Sequence, residues 1–203
     1  MSKILFVLGF VGLLISLYFN YKKTTNVSVL QEENNRLLKV VHDKDLALNQ
    51  IERNFVIQSK ANCLRLPKDI ALSDRDNNKS KISDQLIDQQ RYVLFIPSNA
   101  CHACFDSSIE ELRSFFQKYQ SEIIIITEGK RIRETISFLL DKKLNIRVFG
   151  IEDPLGISIE AGFVPFFFVL QQDLTCKDFF ILDSSSPTLL KYYLKVITGD
   201  LIL

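Results

Sequence analysis

The sequence predicts an α/β protein, a three-layer fold with a mixed sheet, preceded by a long helical N-terminal appendage. Three observations predict it. From residue 61 onward, short apolar runs alternate with amphipathic helical stretches, the pattern that builds a sheet covered by helices. The runs Tyr92 to Ile96 and Glu122 to Thr127 are continuously apolar at their centres, as strands buried on both faces are. The four residues Cys101-His102-Ala103-Cys104 fall where the first of these runs gives way to helical spacing.

Composition sets the outer bounds. The 203 residues are 47% hydrophobic and 24% charged, which suits a packed core and excludes wholesale disorder. The 25 basic residues balance 24 acidic ones, and no basic stripe with interleaved aromatics appears, so no nucleic-acid partner is expected. Sixteen Phe without any Trp point to a core packed with phenyl rings. Four cysteines are too few for a disulfide scaffold. His42 and His102 stand too far from other ligands at metal spacing, so neither metal nor cofactor is expected.

Residues 1–23 read as a single-pass membrane anchor. Ile4 to Phe19 is apolar apart from Gly9, Gly12 and Ser16, with Lys3 before it and Lys22-Lys23 after it. As a helix this run spans roughly 24 Å, and snorkelling lysines absorb the shortfall against a ~30 Å hydrocarbon core. Tyr18 and Tyr21 occupy interfacial positions. No small-residue cleavage site follows, which argues against a removed signal peptide. Flanking lysines are balanced and leave the orientation open. A signal anchor this near the start is expected to leave the C-terminal domain on the outer, extracytoplasmic side of the cell membrane.

Residues 24–60 read as a helical linker. Gly and Pro are absent from 13 to 66, and Val27, Leu30, Leu37, Val41, Leu48, Ile51 and Phe55 fall on heptad a and d positions. Asn34 takes an a position and Lys44 a d position. A parallel homodimer through residues 27–55 is one reading, with Asn34 fixing register. A single amphipathic helix lying along the domain or the membrane is the other.

Residues 61–203 form the domain. Leu66 to Leu72 and Ser80 to Leu86 read as two short elements around a polar turn, Ser73 to Lys79. Tyr92 to Ile96 is a strand stopped by Pro97. Cys104 to Tyr119 has helical spacing through Ile109, Leu112, Phe115, Phe116 and Tyr119. Glu122 to Thr127 is a strand because four β-branched residues in a row favour sheet. Arg131 to Lys142 is an amphipathic helix, Ile146 to Ile151 a strand, and Asp153-Pro154-Leu155-Gly156 the start of a short helix. Phe166 to Leu170 and Lys177 to Leu182 form a hairpin, and Pro187 opens a closing helix that runs to Ile197.

Cys101 and Cys104 are the candidate catalytic pair. A spacing of three places both sulfurs on one face of a first helical turn, close enough to join in a disulfide. Unpaired N–H groups at a helix start favour the thiolate of the first cysteine, and the second then resolves a mixed disulfide. His102 between them would add positive charge when protonated and tune that pKa; the plainer reading is a solvated loop histidine. Cys63 and Cys176 stand alone, each read as an idle thiol, although Cys63 at the join of linker and domain could bridge two chains.

From the paired elements around Leu66 to Leu86, the strand leading into Cys-His-Ala-Cys, and Phe163-Val164-Pro165 opening a strand, residues 61 to 203 resemble the thioredoxin superfamily. They are most similar to its membrane-tethered TlpA-like and redoxin (alkyl hydroperoxide reductase/thiol-specific antioxidant) branch. The resemblance implies a thioredoxin-like fold and a cis Pro165 facing the cysteine pair. It also implies that Val164 offers backbone groups to a bound protein. Without it, Pro165 is a strand-start proline. Two departures stand out: Ala100 replaces the Trp often found before the first cysteine, and Phe95 stands where thioredoxins carry a proton-shuttling Asp. Asp106 and Glu110 are the nearby carboxylates in sequence.

Three functions compete. The first is thiol–disulfide exchange with exported protein substrates or an upstream redox partner, Cys101 attacking and Cys104 resolving. The second is a binding or assembly module with a merely structural disulfide. The third, a thiol peroxidase, fits least, since Cys101 takes the place of the peroxiredoxin hydroxyl residue and no arginine is evident as thiolate partner.

Overall fold

The structure, a computed structural model, describes residues 2–85, 89–100, 112–157, 164–182 and 187–199; the side chains of residues 2–8 and 187 are outside that description. Cys101 to Cys104 therefore lie outside the described residues. The chain divides into two compact units, Met1–Asp45 and Leu46–Leu203.

Helix α1 (Ser2–Ala61) supplies the described residues of the first unit and opens the second. Its length follows from a sequence without proline and with no glycine after Gly12 in this span. Within the first unit, Thr24 and Thr25 return their hydroxyls to the carbonyls of Asn20 and Tyr21, and Arg36 pairs with Glu33 one turn back. Among the described residues no helix is long and apolar enough to cross a membrane. The apolar run that suggests an anchor begins within residues 2–8.

The second unit holds a sheet of seven described strands. These are β1 (Ala71–Ser73), β2 (Lys79–Lys81), β3 (Arg91–Ile96), β4 (Ile123–Glu128), β5 (Arg147–Ile151), β6 (Phe166–Leu170) and β7 (Cys176–Ile181). Their order across the sheet is β2-β1-β5-β4-β3-β6-β7. Strands β3, β4 and β5 are parallel, with Tyr92 opposite Ile123 and Ile125 opposite Val148. Antiparallel β6 joins β3 with Phe95 opposite Phe166, and β7 closes that edge as the second arm of a hairpin. The β1–β2 hairpin extends the other edge from β5. This is a mixed α/β sheet of the thioredoxin-like kind.

Helix α2 (residues 112–119) follows β3, α3 (Ile132–Asp141) follows β4, and α4 (Pro187–Ile197) follows β7. Successive crossovers in the same direction across the sheet put the described parts of α2 and α3 on one face. There Leu112, Phe116, Ile132 and Leu139 meet Leu94, Ile123 and Ile125, and α4 adds Leu190 and Leu194. The opposite face buries Val93, Phe95, Ile124, Ile126, Phe166 and Phe168 beneath Leu72, Ile82 and the end of α1 at Ala61. Alternation along each strand thus divides one apolar run between two cores. The phenylalanines do the packing: Phe95 stacks on Phe166 at 4.9 Å between centroids and Phe168 on Phe179 at 5.2 Å.

Local chemistry moves several element ends from their expected places. The strand expected from Leu66 is an isolated bridge, Arg65 to Thr175, with β1 starting only at Ala71; Pro67 has no N–H to give a ladder. The polar turn holds through Asp74, whose carboxylate accepts from the backbone of Asp76 and Asn78 and from the Asn78 side chain, with Asn77 in the left-handed region at φ 62°. Those Asn78 hydrogen bonds hold the Asp74 carboxyl below its ordinary value. The helix expected from Asp153 is not formed over residues 154–157, where Gly156 sits at φ 79°, outside helical geometry; residues 158–163 lie outside the described set.

The last turns of α1 pack against the free edge of β7. Asn54 Oδ1 accepts the N–H of Ile181 at 2.7 Å, Gln50 Nε2 donates to the Ile181 carbonyl at 3.3 Å, and Gln58 Nε2 donates to the Phe179 carbonyl at 2.8 Å. Gln50 and Asn54 are buried, at 2% and 6% exposure. Residues four apart on a helix present one line of side chains, and alternate residues of an edge strand present one line of backbone groups. The two lines match, and a polar face of α1 closes the sheet edge. Leu48, Ile51 and Phe55 face away and stay exposed.

Candidate functional site

The site is framed at the C-terminal end of β3. All six residues of this strand are buried, so it presents a fixed end to whatever follows. Thr127, the polar residue that ends the isoleucine run of β4, is fully buried and donates its hydroxyl to the Ile96 carbonyl at 2.9 Å. Burial without that bond would cost roughly 1–3 kcal/mol. Pro97 cannot continue the ladder, and the chain turns at once: the Ala100 N–H donates to the Pro97 carbonyl at 3.1 Å. Pro97 and Ala100 point inward while Ser98 and Asn99 are exposed. The peptide carbonyl of Ala100 is the one bonded to the nitrogen of Cys101. Ala100 is a small buried residue here, and a Trp would not fit the same inward-facing space.

Arg131 reaches this turn from the other side. It ends the 3-10 turn Gly129–Arg131 between β4 and α3. One guanidinium nitrogen, Nη1, donates to the carbonyls of both Pro97 (2.8 Å) and Ala100 (3.2 Å). Nε donates to Glu134 at 3.1 Å, and the arginine side chain is only 11% exposed. The turn that carries Arg131 sits tight on β5. A Cβ at Gly150 would lie 2.3 Å from Ile132 Cδ1 and 2.9 Å from the Gly129 Cα, so only glycine lets the two segments approach.

Pro165 lies at the same end of the sheet. It precedes Phe166, the partner of Phe95, so the register carries it alongside the end of β3. Its ring is buried, Val164 is half-buried, and its carbonyl accepts the Leu182 N–H at 2.9 Å, lengthening the β6–β7 ladder. No peptide bond among the described residues is cis, so the Val164–Pro165 bond is trans and the expected cis proline is corrected. The trans form is the lower-energy isomer of an ordinary X–Pro bond.

The structure thus brings Val164 and Pro165 to the turn that leads into Cys101, at one end of the sheet. Cys101, His102, Cys104, Asp106 and Glu110 lie outside the described residues. Phe95 occupies the inward position where a carboxylate was missing from the sequence, and its ring is stacked on Phe166. Sequence reading did not single out Arg131. Its chain position, 30 residues past Cys101 on a polar turn, resembles a solvated surface arginine, and only the fold brings it back onto the turn.

The remaining two cysteines are free thiols that sit side by side in the backbone. The Cys63 N–H donates to the Cys176 carbonyl and the Cys176 N–H to the Leu64 carbonyl, at 2.9 and 2.8 Å. With Cys63 at φ 68° this is a bulge in the pairing of the α1 exit with β7. The Cys63 side chain is exposed; Cys176 is fully buried, and burial pushes its thiol up to about 12. His42 is exposed on α1. Among the described residues no three His, Cys, Asp or Glu side chains are placed to hold a metal ion.

No family model matches the chain, and no curated protein matches it. Solved structures of thioredoxin-like redoxins do. A thiol:disulfide interchange protein from Bacteroides sp. is 13% identical, with a TM-score of 0.46, 68% of this chain covered and 92% of that one. The bacterioferritin comigratory protein of Xanthomonas campestris, described for alkyl peroxide reduction, is 10% identical with a TM-score of 0.48 and coverages of 66% and 97%. Peroxidoxin BcpB from Mycobacterium tuberculosis is 12% identical with a TM-score of 0.45 and coverages of 68% and 99%. The fold assignment itself rests on the strand order and register.

Proposed function

We propose that this chain is a membrane-tethered thiol–disulfide oxidoreductase of exported proteins, working through Cys101 and Cys104. The observation that carries the reading is the motif's position: the first cysteine follows directly on a braced turn at the end of a fully buried strand, with Pro165 at the same end of the sheet. The Cys101 thiolate attacks a substrate disulfide, forming a mixed disulfide and releasing one substrate thiolate, which takes a proton. Cys104 gives up its proton, attacks the Cys101 sulfur and releases the second substrate thiolate. Two electrons pass to the substrate, and an upstream dithiol partner restores the pair; the reverse direction oxidises. His102 tunes the first thiol, while Val164 and Pro165 shape the groove in which a substrate chain lies.

Trapping tests it. With Cys104→Ser in the full chain in cells, a mixed disulfide through Cys101 should accumulate on an exported protein or a redox partner, and Cys101→Ser should abolish it. Absence of any adduct, together with no disulfide reduction of insulin by the intact protein in detergent, would overturn the proposal. The anchor is read from Ile4 to Phe19, with the domain on the outer side of the cell membrane. Extraction by alkaline carbonate, or a protease-resistant domain in intact cells, would refute one or the other part.

A second reading has its own observation. A polar face of α1 is spent on β7 while Leu48, Ile51 and Phe55 are exposed, and these continue the heptad positions of Val27 to Val41. A second copy of the chain, paired in parallel through residues 27–55 with Asn34 against Asn34, would cover that seam. On this reading the protein is an assembly module and its disulfide is structural. Sedimentation of the intact protein as a monomer would remove it.

A further inference from the structure

We infer that the groove between the β1–β2 turn and α3 is a docking site for an acidic peptide segment of a partner protein, a function independent of the exchange chemistry proposed above. Arg133, Ile136, Ser137 and Leu140 of α3 form one wall, and Arg75 and Asp76 at the tip of the turn form the other. The space between them is about 470 Å³, within the size range of ligand pockets. It is open to solvent, which suits a chain laid across it rather than a small molecule enclosed in it.

Helical spacing makes the first wall. Positions 133, 136, 137 and 140 recur at intervals of three and four, so their side chains share one face of α3. The other face buries Ile132, Thr135 and Leu139. On the outer face Leu140 is 57% exposed and Ile136 half-buried, an apolar strip where a solvated helix carries polar residues. The second wall is a preformed loop. The Asp74 N–H donates to the Asn78 carbonyl and the Asn77 N–H to the Asp74 carbonyl, both at 3.1 Å, and the Asp74 carboxylate ties the same turn. Arg75 and Asp76 are held at the tip with their side chains still available, so little ordering is needed on binding.

Charge selects the occupant. Neither the Arg75 nor the Arg133 guanidinium is paired within the described residues. The acids that adjoin them in the chain are engaged elsewhere, Asp74 by Asn78 and Glu134 by Arg131. Asp141 and Lys142 follow Leu140 and do not line the groove. Asp76 is the one carboxylate among the lining residues, and two arginines against it leave a net positive charge. A guanidinium takes a carboxylate through two parallel hydrogen bonds, and the Ser137 hydroxyl adds a further donor on the α3 wall. A segment whose carboxylates flank an aliphatic side chain satisfies the arginines and covers Leu140 together. No aromatic ring is among the lining residues, so a nucleic acid finds no stacking platform here.

The test is isothermal titration calorimetry of the intact protein in detergent with the acetylated and amidated peptide Glu-Leu-Glu-Leu-Glu. This peptide should bind, and Gln-Leu-Gln-Leu-Gln should bind about tenfold more weakly or worse. Arg75→Gln and Arg133→Gln should each weaken the acidic peptide by about tenfold, the loss of one charge-assisted pair. Leu140→Ser should weaken both peptides. Asp76→Asn should tighten the acidic peptide by about threefold, a gain that damage to the fold does not produce. All four positions are exposed, and circular dichroism checks that each variant folds. Lys177→Gln, on the far edge of the sheet, should leave binding unchanged. No binding by the wild type, or equal affinities in the wild type and both arginine variants, would overturn the inference. An equal loss in Lys177→Gln would also overturn it, since the peptide would then be answering to net charge alone. Disulfide reduction of insulin by the same preparations reads the exchange chemistry separately.

Discussion

The Asn54 carboxamide oxygen accepts the backbone N–H of Ile181 at 2.7 Å, across 127 residues of sequence, in a site where both groups are buried. An edge strand normally meets water or another strand; here a helix side chain substitutes for the missing neighbour. The same asparagine donates to the Gln50 carbonyl one turn back, so it is held from both sides.

Asn54→Ala should therefore destabilise the domain by about 1–3 kcal/mol, because the Ile181 N–H loses its acceptor without regaining water. Urea unfolding should show a lower midpoint at an unchanged slope. A loss under about 0.5 kcal/mol would mean that solvent reaches the β7 edge.

Cys63 sits at φ 68° where α1 ends, a conformation that costs an L-residue roughly 1–2 kcal/mol. Glycine avoids that cost but gives up about 0.5–1 kcal/mol of chain entropy. Cys63→Gly should thus stabilise the protein by about 0.5–1 kcal/mol, seen as a rise in Tm. A fall in Tm would show that the exposed thiol packs on its surroundings.

Cys176 gives a pH-dependent prediction. Burial raises its thiol from 9.0 to about 12 in the folded protein, so above pH 9 the unfolded chain releases a proton that the native state retains. Its contribution to stability is whole below pH 9 and declines by about 1.4 kcal/mol per unit as pH climbs toward the folded value. Unfolding free energies at pH 8 and 10.5 should differ less in Cys176→Ala than in the wild type. Native Cys176 should also resist iodoacetamide at pH 8 while Cys63 reacts; equal labelling of the two would contradict the burial.

Gly150→Ala should cost about 1–3 kcal/mol, since the new methyl meets Ile132 and the Gly129 backbone at distances that real atoms do not adopt. The Gly129–Ile132 segment has to shift, and Arg131 moves with it. Urea unfolding should show a lower midpoint at an unchanged slope, and an unchanged midpoint would show that the Gly129–Ile132 segment gives way without cost.

How much of this was legible in the sequence differs from element to element. Strands β3, β4 and β6 were evident because an apolar run with two buried faces has few other ways to fold. The ends were less legible: Pro67 shortened the first strand by removing a donor, and Gly156, at φ 79°, kept residues 154–157 out of the helix that the local spacing suggested would begin there. At the site, the cysteine motif and Pro165 could be read from spacing and from family likeness. Arg131 could not, because its partners are two carbonyls, and carbonyls carry no sequence signature.

The sequence by itself determined the alternation of strand and helix, the junction at which the Cys-His-Ala-Cys motif falls, and the apolar seam along α1. These are local properties, set by periodicity and side-chain chemistry within a few residues. Tertiary structure alone decided that Gln50, Asn54 and Gln58 would close the β7 edge and that Arg131 would hold the turn before Cys101. Both depend on a buried polar backbone group finding its partner from a distant part of the chain, and burial obliges that pairing without naming the residue that makes it.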